Sequence, residues 1–318
     1  MKKGNVYGSF GILPKEEMLE VKQNFQRLSI GIPKESSFQE NRIAITPSAV
    51  SLLTHNGHNI IIESEAGNQA NFSDEEYSKS GAKIVFSKEE VYQSDIIVKI
   101  EPPTKSELKL LKKGQQLISA IQLKTRDKEY FDTLLKKNIT SLAIEKIKDK
   151  EGKLSLLRCM GEIAGTTSLL IAAEYLSNVN GGKGLLLGSI TGVSPTDIVI
   201  IGAGTVGEFA ARTAIGLGAN VRVFDNSLSR LRRLQQSLNQ RISTCTIQPK
   251  SLRKALMRAD IAIGSLRTGE GRTPCVVSEE MVEGMKDGSV IIDVSIDHGG
   301  CFETSEVTSH KSPIFIKH

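Results

Sequence analysis

The chain has 318 residues, of which 39% are hydrophobic and 24% are charged. These values exclude an intrinsically disordered protein, which is poorer in apolar residues, and the length suggests about two domains of ordinary size. The net charge of +5 is too small and too evenly spread to indicate a nucleic-acid-binding protein. No run approaches the roughly 18 consecutive apolar residues of a membrane span, and the N-terminus lacks the apolar core of a secretory signal.

The cysteine content points to a reducing compartment. The four cysteines lie far apart in the sequence and form no C-x-x-C pair: Cys159, Cys245, Cys275 and Cys301. Zinc sites and disulfide frameworks use closer, regular spacings, so we expect neither in this chain. We therefore expect a cytoplasmic protein.

The first half of the chain alternates short apolar strands with polar helices. After an extension over residues 1–27, with one short predicted helix at Lys15–Gln26, the predicted strands are Leu28–Ile32, Asn59–Glu63, Lys83–Phe86, Ser94–Ile100 and Gln116–Leu123. Helices are predicted between them, from Pro47 to about His55, after the cap Ser73, and at Lys105–Lys113. Alternation of this kind is typical of a parallel α/β sheet.

A second unit of the same kind begins after the glycine-rich stretch from Asn180 to Pro195. The preceding segment Gly161–Ser177 is small and apolar and suits a helix that joins the two halves. The strands predicted after it are Asp197–Ile201, Asn220–Phe224, Ile261–Ile263, Val290–Val294 and Pro313–Lys317. The whole pattern predicts an α/β protein built from two tandem units with parallel sheets.

The strongest chemical signal is a glycine-rich loop directly after a predicted strand. The loop and the acidic residue that closes the next strand are Gly202, Ala203, Gly204, Thr205, Val206, Gly207 and Asp225. Gly202 permits a tight turn, Gly204 lets the backbone approach a pyrophosphate, and Gly207 lets the following helix pack closely on the sheet. The free N–H groups at the helix N-terminus favour phosphate. This order of elements predicts a Rossmann unit that binds a dinucleotide.

Asp225 indicates which dinucleotide is bound. At the end of the second strand of a Rossmann unit, a carboxylate accepts hydrogen bonds from the ribose hydroxyls of the adenosine half. Its negative charge would repel a 2′-phosphate, so the sequence favours NAD over NADP.

At this point the sequence resembles the alanine dehydrogenase and transhydrogenase α-subunit family over residues 28–318. Besides the glycine loop, the landmarks are IGIPKE at 30–35, NRIAITP at 41–47 and MKDGSVIIDVSIDHGGCFETSEVT at 285–308. The segment GGKGLLLGSITGVSPTDIVIIGAGTVG is more similar to alanine dehydrogenases than to transhydrogenases. The resemblance implies NAD-dependent oxidative deamination of L-alanine to pyruvate and ammonium.

The family organisation implies two tandem Rossmann-like domains in a homo-oligomer. The implied ranges are a substrate domain at 28–155, an NAD-binding domain at 156–300 and a return segment at 301–318 that is shorter than in the family. The expected partner is a small amino acid or its 2-oxo acid, with no metal, nucleic acid or membrane.

The resemblance also places the site residues. Arg42 matches the arginine that binds the substrate carboxylate, and Asp297 matches an aspartate beside the nicotinamide. Arg230 matches a basic position that faces the adenine ribose, although it reads equally well as a solvated helix residue. The expected cofactor contacts are Gly202, Gly204, Thr205, Val206, Gly207, Asp225, Arg230, Ile296 and Asp297.

Two positions depart from the family pattern. The family's catalytic histidine falls at Gln122, which cannot shuttle a proton at neutral pH. The second substrate-binding lysine falls at Glu101, whose charge would repel a carboxylate. Lys99 shares a strand face with Glu101, and Lys124 lies near Gln122, so we expect these lysines to compensate. The expected catalytic set is Asp297, Gln122 and Lys99, with Arg42 and Glu101 binding substrate.

The two departures keep two other functions open. One is a transhydrogenase-like NAD(H) module that passes hydride to a partner protein, and the other is an NAD-binding protein without turnover. A transhydrogenase-like module also lacks the histidine, but it would need a membrane partner. The loss of the histidine and lysine favours the NAD-binding protein without turnover, whereas Arg42 and Asp297 speak against it.

Overall fold

The structure is a computed structural model that describes residues 27–36, 40–122, 126–267 and 271–318. The predicted helix at Lys15–Gln26 and the predicted role of Lys124 therefore lie outside the described residues. The contacts divide the chain into two compact units, Met1–Lys146 and Ile147–His318. Each unit is a parallel sheet with helices, so the predicted α/β fold of two Rossmann-like units is confirmed.

The described part of the first unit contains a six-stranded parallel sheet in the order β3-β2-β1-β4-β5-β6. Its strands are β1 (Ser29–Ile32), β2 (Asn59–Glu63), β3 (Lys83–Val85), β4 (Ile96–Val98), β5 (Gln116–Ser119) and β6 (Thr140–Ala143). Its helices are α1 (Pro47–His55), α2 (Asp74–Lys79), α3 (Lys88–Val91), α4 (Lys105–Leu110) and α5 (Lys128–Lys136).

The direction in which the sheet grows reverses between β1 and β4. β1 pairs with β2 on one side and with β4 on the other, so that Ile30 lies opposite both Ile60 and Ile96. These β-branched side chains suit a pleated, buried surface and form part of the core of this unit. Ligands of parallel α/β sheets bind beyond the carboxyl ends of the strands at such a reversal. A ligand site is therefore expected at the loops that follow β1, β4 and β5.

The described part of the second unit contains a five-stranded parallel sheet in the order β11-β10-β7-β8-β9. Its strands are β7 (Asp197–Ile201), β8 (Asn220–Phe224), β9 (Ser243–Cys245), β10 (Ile261–Gly264) and β11 (Val290–Asp293). Its helices are α6 (Ser155–Leu176), α7 (Thr205–Gly216), α8 (Leu228–Ser237), α9 (Pro249–Leu256) and α10 (Glu279–Glu283). Here the reversal lies between β7 and β10.

The long helix α6 packs against α7 through small residues. A Cβ on Gly165 would lie 2.3 Å from the carbonyl oxygen of Val206 and 2.9 Å from the Cβ of Phe209. Leu169 and Leu176 extend the same contact into the core. By length and composition alone α6 is also apolar enough to cross a membrane, which for a single helix is weak evidence of a membrane span.

Several predicted elements have different bounds, and one is wrong. The strand predicted at Ser94–Ile100 is confined to β4, and α7 begins within the glycine loop, at Thr205. Pro313–Lys317 is not a strand: it pairs with no other strand among the described residues and is exposed throughout. Its apolar residues are the consecutive Ile314, Phe315 and Ile316, and they pair with no sheet edge among the described residues, whereas a strand needs such a partner.

The contact between α6 and α7 predicts the effect of two glycine substitutions. We expect Gly165→Ala to lower the free energy of unfolding by about 1–3 kcal/mol, because the added methyl group meets backbone atoms that cannot move away. Gly216→Ala is the matched control, since a Cβ there meets nothing within 4 Å and alanine favours the helix. Urea unfolding of both variants measures the difference, and equal stabilities would contradict the proposed packing.

Candidate active site

The glycine loop of the second unit is held by close backbone contacts. Gly202 has a φ of +117°, and a Cβ there would lie 2.6 Å from the carbonyl oxygen of Ser265. A Cβ on Gly207 would lie 1.9 Å from the carbonyl oxygen of Gly202. The Ser265 hydroxyl donates to the carbonyl oxygens of Ile201 and Gly202, each at 3.1 Å. These contacts fix the first turn of α7 on the sheet.

Gly204 differs from the other two glycines of the loop. It is the N-cap of α7, and a Cβ there would meet nothing within 4 Å. The next residues, Thr205, Val206 and Gly207, form the first turn, where backbone N–H groups have no partner inside the helix. The space above Gly204 and the positive end of a 12-residue helix therefore suit an anionic group such as a diphosphate.

Asp225, directly after β8, is buried and holds two loops. One carboxylate oxygen accepts from the N–H of Ala203 at 2.8 Å and the other from the N–H of Ser227 at 2.7 Å. Arg230 lies 3.8 Å from the same carboxylate. Asp225 and Arg230 line one cavity of about 500 Å³, together with Asn226, Ser227, Ile247, Leu266, Arg267, Pro274 and Val276.

Asp297 lies at the tip of the loop that follows β11. The tip is a short 3-10 helix, Ile296–His298, in which Asp297 and His298 are exposed and Ile296 is half-buried. The structure thus places all of the predicted cofactor residues of the second unit beyond the carboxyl ends of its strands. The glycine loop follows β7, the pair Asp225 and Arg230 follows β8, and Asp297 follows β11.

Arg42, in the first unit, is bound by a neighbouring carboxylate. Its Nε and one terminal nitrogen donate to the two oxygens of Glu40 at 2.8 and 2.6 Å, in a bidentate pair. Hydrogen bonding to Glu40 raises the pKa of Arg42, burial opposes that change, and the charges of Glu101 and Glu35 add to it. The Arg42 side chain stays half exposed, at 51%, whereas Glu40 is buried.

Glu101 and Gln122 contact each other at the ends of β4 and β5. Gln122 donates from Nε2 to a carboxylate oxygen of Glu101 at 3.3 Å and accepts from Arg126 at 3.1 Å. Gln122 has a φ of +50°, and its N–H donates to the carboxylate of Glu145 at 2.9 Å. This carboxylate holds the strained turn and directs the Gln122 side chain towards Glu101.

Lys99 does not reach the exposed side of this cluster. Its side chain is fully buried, with the ammonium nitrogen 2.9 Å from Glu107 and 3.5 Å from Glu35. Lys88 lies 3.1 Å from the second oxygen of Glu107. Burial opposes ionisation of Glu107, but Lys99, the N–H of Thr104 and Lys88 outweigh it and lower the pKa to about 2.

Glu35 responds in the opposite direction. Burial raises the pKa of Glu35, and Lys99 and the N–H of Ile100 only partly offset that change. One Glu35 oxygen accepts from the Ile100 N–H at 2.5 Å, next to Glu101. The buried lysine therefore sits between two carboxylates and supports the end of β4.

The structure adds residues that the sequence analysis does not single out. They are Glu40, Glu145 and Arg126 in the first unit and Ser265 and Asp293 in the second. Glu145 and Ser265 bind loops that follow a different strand, so local sequence patterns do not reveal them. Asp293 carries a signal of its own, because an acidic residue that closes an apolar strand is unusual unless its carboxylate has partners.

Comparison with known proteins settles the family. A model of the alanine dehydrogenase/PNT N-terminal domain matches residues 31–164, and a model of the C-terminal domain of the same family matches residues 168–318. The chain belongs to the alanine dehydrogenase/PNT family. The resemblance found in the sequence is thereby confirmed.

The chain is also similar to individual members of this family. The chain is 39% identical to an alanine dehydrogenase of Mycolicibacterium smegmatis over 91% of this chain and 78% of that protein. It is 40% identical to an alanine dehydrogenase of Methanococcus maripaludis with the same coverage. Among solved structures, an L-alanine dehydrogenase matches with a TM-score of 0.85 at 36% identity, over 91% of this chain and 80% of that chain. A transhydrogenase from Sinorhizobium meliloti matches with a TM-score of 0.78 at 25% identity, over 87% and 81%.

Because the space at Gly204 is open, a substitution there should change ligand binding without changing stability. We expect Gly204→Ala to leave the free energy of unfolding within about 0.5 kcal/mol of the parent, since the methyl group meets no protein atom. The same methyl group occupies the space proposed for the diphosphate, so NADH affinity should fall by about tenfold or more. NADH fluorescence measures that affinity directly, because the chain has no Trp. Unchanged NADH binding would place the diphosphate elsewhere.

The buried carboxylate of Glu107 predicts a pH dependence of stability. Because its pKa is about 2 in the folded chain against 4.5 for a free glutamate, its contribution is complete above pH 4.5 and is lost as the pH falls towards 2. The full loss should amount to about 3 kcal/mol, of which about 2 kcal/mol falls between pH 6 and pH 3, and it should be absent in Glu107→Gln. Urea unfolding between about pH 6 and pH 3 tests this, with Glu129→Gln as the exposed control. Identical pH profiles for parent and Glu107→Gln would contradict it.

Proposed function

We propose that this protein is an NAD-dependent oxidoreductase that oxidatively deaminates L-alanine to pyruvate and ammonium. The observation that carries the proposal is the open glycine loop at the N-terminus of α7, with Asp225 beside it, in a chain 37–40% identical to alanine dehydrogenases. The functional ranges remain 28–155 for the substrate domain and 156–300 for the NAD-binding domain.

The residues of the second unit fit NAD. In our proposal the first turn of α7 binds the diphosphate, with Gly204, Thr205, Val206 and Gly207 supplying backbone contacts. Asp225 takes the ribose hydroxyls of the adenosine half, and Arg230 flanks the same cavity. When bound, NAD supplies the hydride acceptor. Ile296 and Asp297 then lie on the loop assigned to the nicotinamide end.

The residues of the first unit fit a zwitterionic amino acid. We assign the substrate carboxylate to Arg42, whose guanidinium Glu40 holds in a fixed orientation while half of the side chain stays exposed. We assign the substrate amino group to Glu101, which Gln122 orients by hydrogen bonding. A carboxylate at that position also stabilises the positive charge of the iminium that forms as the hydride leaves.

The remaining steps are proton transfers and the addition of water. The substrate ammonium group first loses a proton, and loss of hydride from the α-carbon then gives the iminium. Water adds to the iminium and the nitrogen leaves as ammonium, so that one water is consumed and one proton is released per pyruvate formed. Asp297 is the exposed carboxylate we assign to proton transfer at the nicotinamide end. Gln122 contributes hydrogen bonds only, and Lys99 acts as a positioning residue through Glu35 and Glu107.

One observation favours a second function. Glu101 and Gln122 stand where the family resemblance places a lysine and a histidine, and they bond to each other. A protein that binds NAD(H) without turning over amino acids, or a transhydrogenase-like module, would need neither basic group. The solved transhydrogenase of similar fold is the precedent for the second of these.

The direct test is NADH formation from NAD and L-alanine, with other amino acids in parallel. We expect turnover with L-alanine, and Arg42→Met should raise the KM for L-alanine by about 10- to 100-fold through loss of a charge-assisted pair. Arg253→Met is the matched control, because Arg253 is also half exposed and pairs with Glu280.

Two outcomes would contradict the proposal. NADH binding without turnover of any amino acid would favour the NAD-binding protein or the transhydrogenase-like module. Turnover with an unchanged KM in Arg42→Met would show that the substrate carboxylate binds elsewhere.

We further propose a cytoplasmic homo-oligomer. All four cysteines are free thiols, which suits a reducing compartment. One face of α6 exposes apolar side chains that a second copy would cover: Leu156, Met160, Ile163, Leu170 and Ile171. Isolated exposed apolar residues are ordinary, but a row of them along one helix indicates an interface.

The oligomer can be tested at Ile163, which is 66% exposed. We expect the native mass of the parent to be a multiple of 34.6 kDa and Ile163→Asp to shift it towards a single chain, since burying the new charge is costly. Phe86→Asp, at a position 89% exposed in the first unit, is the control and should leave the mass unchanged. Light scattering after size exclusion reports both, and a monomeric parent would exclude the proposed interface.

A further inference from the structure

We propose that Asp293 is a positioning residue that fixes the loop carrying Asp297. Asp293 is the last residue of β11 and lies four residues before Asp297. The proposal rests on the proposed function in one respect, namely that Asp297 acts at the nicotinamide end. Nothing in the family resemblance assigns a role to Asp293.

The Asp293 carboxylate binds both ends of this loop. Its Oδ1 accepts from the N–H of Ser295 at 3.0 Å. Its Oδ2 accepts from the N–H groups of Cys301 and Phe302 at 2.6 and 3.1 Å. One side chain thus joins the residue where the loop leaves the strand to the residues where it returns, and it leaves Asp297 at the tip between them.

The surroundings of the carboxylate are shaped to admit it. Gly264 lies opposite Asp293 on β10, and a Cβ there would come within 2.7 Å of Oδ1. Gly300 has a φ of +75°, and its Cβ would come within 2.9 Å of Oδ2. Both oxygens are therefore enclosed by glycine backbone, and a longer side chain at either glycine would displace the carboxylate.

The rest of the loop relies on its base for orientation. The Ser295 hydroxyl donates to the carbonyl oxygen of Leu266 at 2.8 Å, and the Ser295 carbonyl oxygen accepts from His298 and Gly300. At the tip, the carbonyl oxygen of His298 accepts from the N–H of Thr273 at 2.7 Å. Apart from the Ser295 hydroxyl, the groups of the loop that make these bonds are backbone atoms. The direction of the exposed Asp297 side chain therefore depends on how the base of the loop is held.

A carboxylate is needed because three N–H groups point at two oxygens. An asparagine offers one oxygen and would turn its own N–H₂ group towards at least one of these donors. Asp293→Asn preserves the size of the side chain, yet it leaves a backbone N–H facing another donor. The loop base should loosen while the glycine loop and Asp225, on other strands, keep their geometry.

The test compares the two ends of the cofactor in Asp293→Asn. We expect kcat for L-alanine to fall by about tenfold or more, with affinity for ADP-ribose within about twofold of the parent. ADP-ribose lacks the nicotinamide, so it reports the adenosine and diphosphate contacts alone. NADH should lose its affinity advantage over ADP-ribose, and the fluorescence of bound NADH should shift towards that of free NADH. Asp287→Asn, an exposed carboxylate on the turn before β11, is the control and should match the parent.

A second variant disturbs the Asp293 carboxylate through the neighbouring Gly300. Gly300→Ala places a methyl group against Oδ2, at a φ of +75° that alanine also disfavours, so both effects should loosen the loop base and reproduce the selective loss of kcat and of NADH affinity. It keeps the proposal testable if Asp293→Asn does not fold. Parent-like kcat and NADH affinity in a folded variant would overturn the proposal, as would an equal loss of ADP-ribose affinity.

The NADH and ADP-ribose affinities also test the role of Asp293 independently of the proposed function. A parent that turns over no amino acid would refute the dehydrogenase. The ratio of NADH to ADP-ribose affinity would still decide whether Asp293 fixes the nicotinamide loop.

Discussion

The cofactor site of the second unit depends on one close backbone contact, between the first turn of α7 and the end of β7. A Cβ on Gly207 would lie only 1.9 Å from the carbonyl oxygen of Gly202, so only glycine fits at this position of the first turn. Gly165 lets α6 pack so closely on the same turn that a Cβ there would lie 2.3 Å from the carbonyl oxygen of Val206. The direction of the free N–H groups is therefore set by packing before any ligand binds, which is what preorganised recognition of an anion requires.

In the first unit, glutamate side chains hold the loops across neighbouring strands. At the carboxyl edge of its sheet, a glutamate at or after the end of one strand accepts from an N–H of the loop after the neighbouring strand. This occurs between β2 and β1, between β1 and β4, and between β6 and β5: Glu63 with Lys34, Glu35 with Ile100, and Glu145 with Ile121 and Gln122. Each glutamate fixes a loop it is not part of, so the positions of Glu101 and Gln122 depend on the whole row of strands.

This difference explains how much of the molecule the sequence predicts. The strands with isoleucine and valine runs, the glycine loop and Asp225 all follow from local pattern, and the structure has them in place. The wrong strand at Pro313–Lys317 and the burial of Lys99 do not, because each depends on a partner elsewhere. Strand periodicity predicts that Lys99 lies beside Glu101. In the structure its ammonium group is instead paired with two buried carboxylates, those of Glu35 and Glu107.

The two kinds of carboxylate at these strand ends are distinguished by what they bind. Asp225, Asp293 and Glu145 accept backbone N–H groups and are at least partly enclosed, so their charges are already committed to holding a loop. Asp297 lies exposed at the end of a loop that one of them fixes. A carboxylate can exchange protons with a substrate only if its charge is not required to keep its own loop folded. This division of labour is why we propose Asp297 for the chemistry and Asp293 for its orientation, and it makes exposure a better guide to the reacting carboxylate than acidity alone.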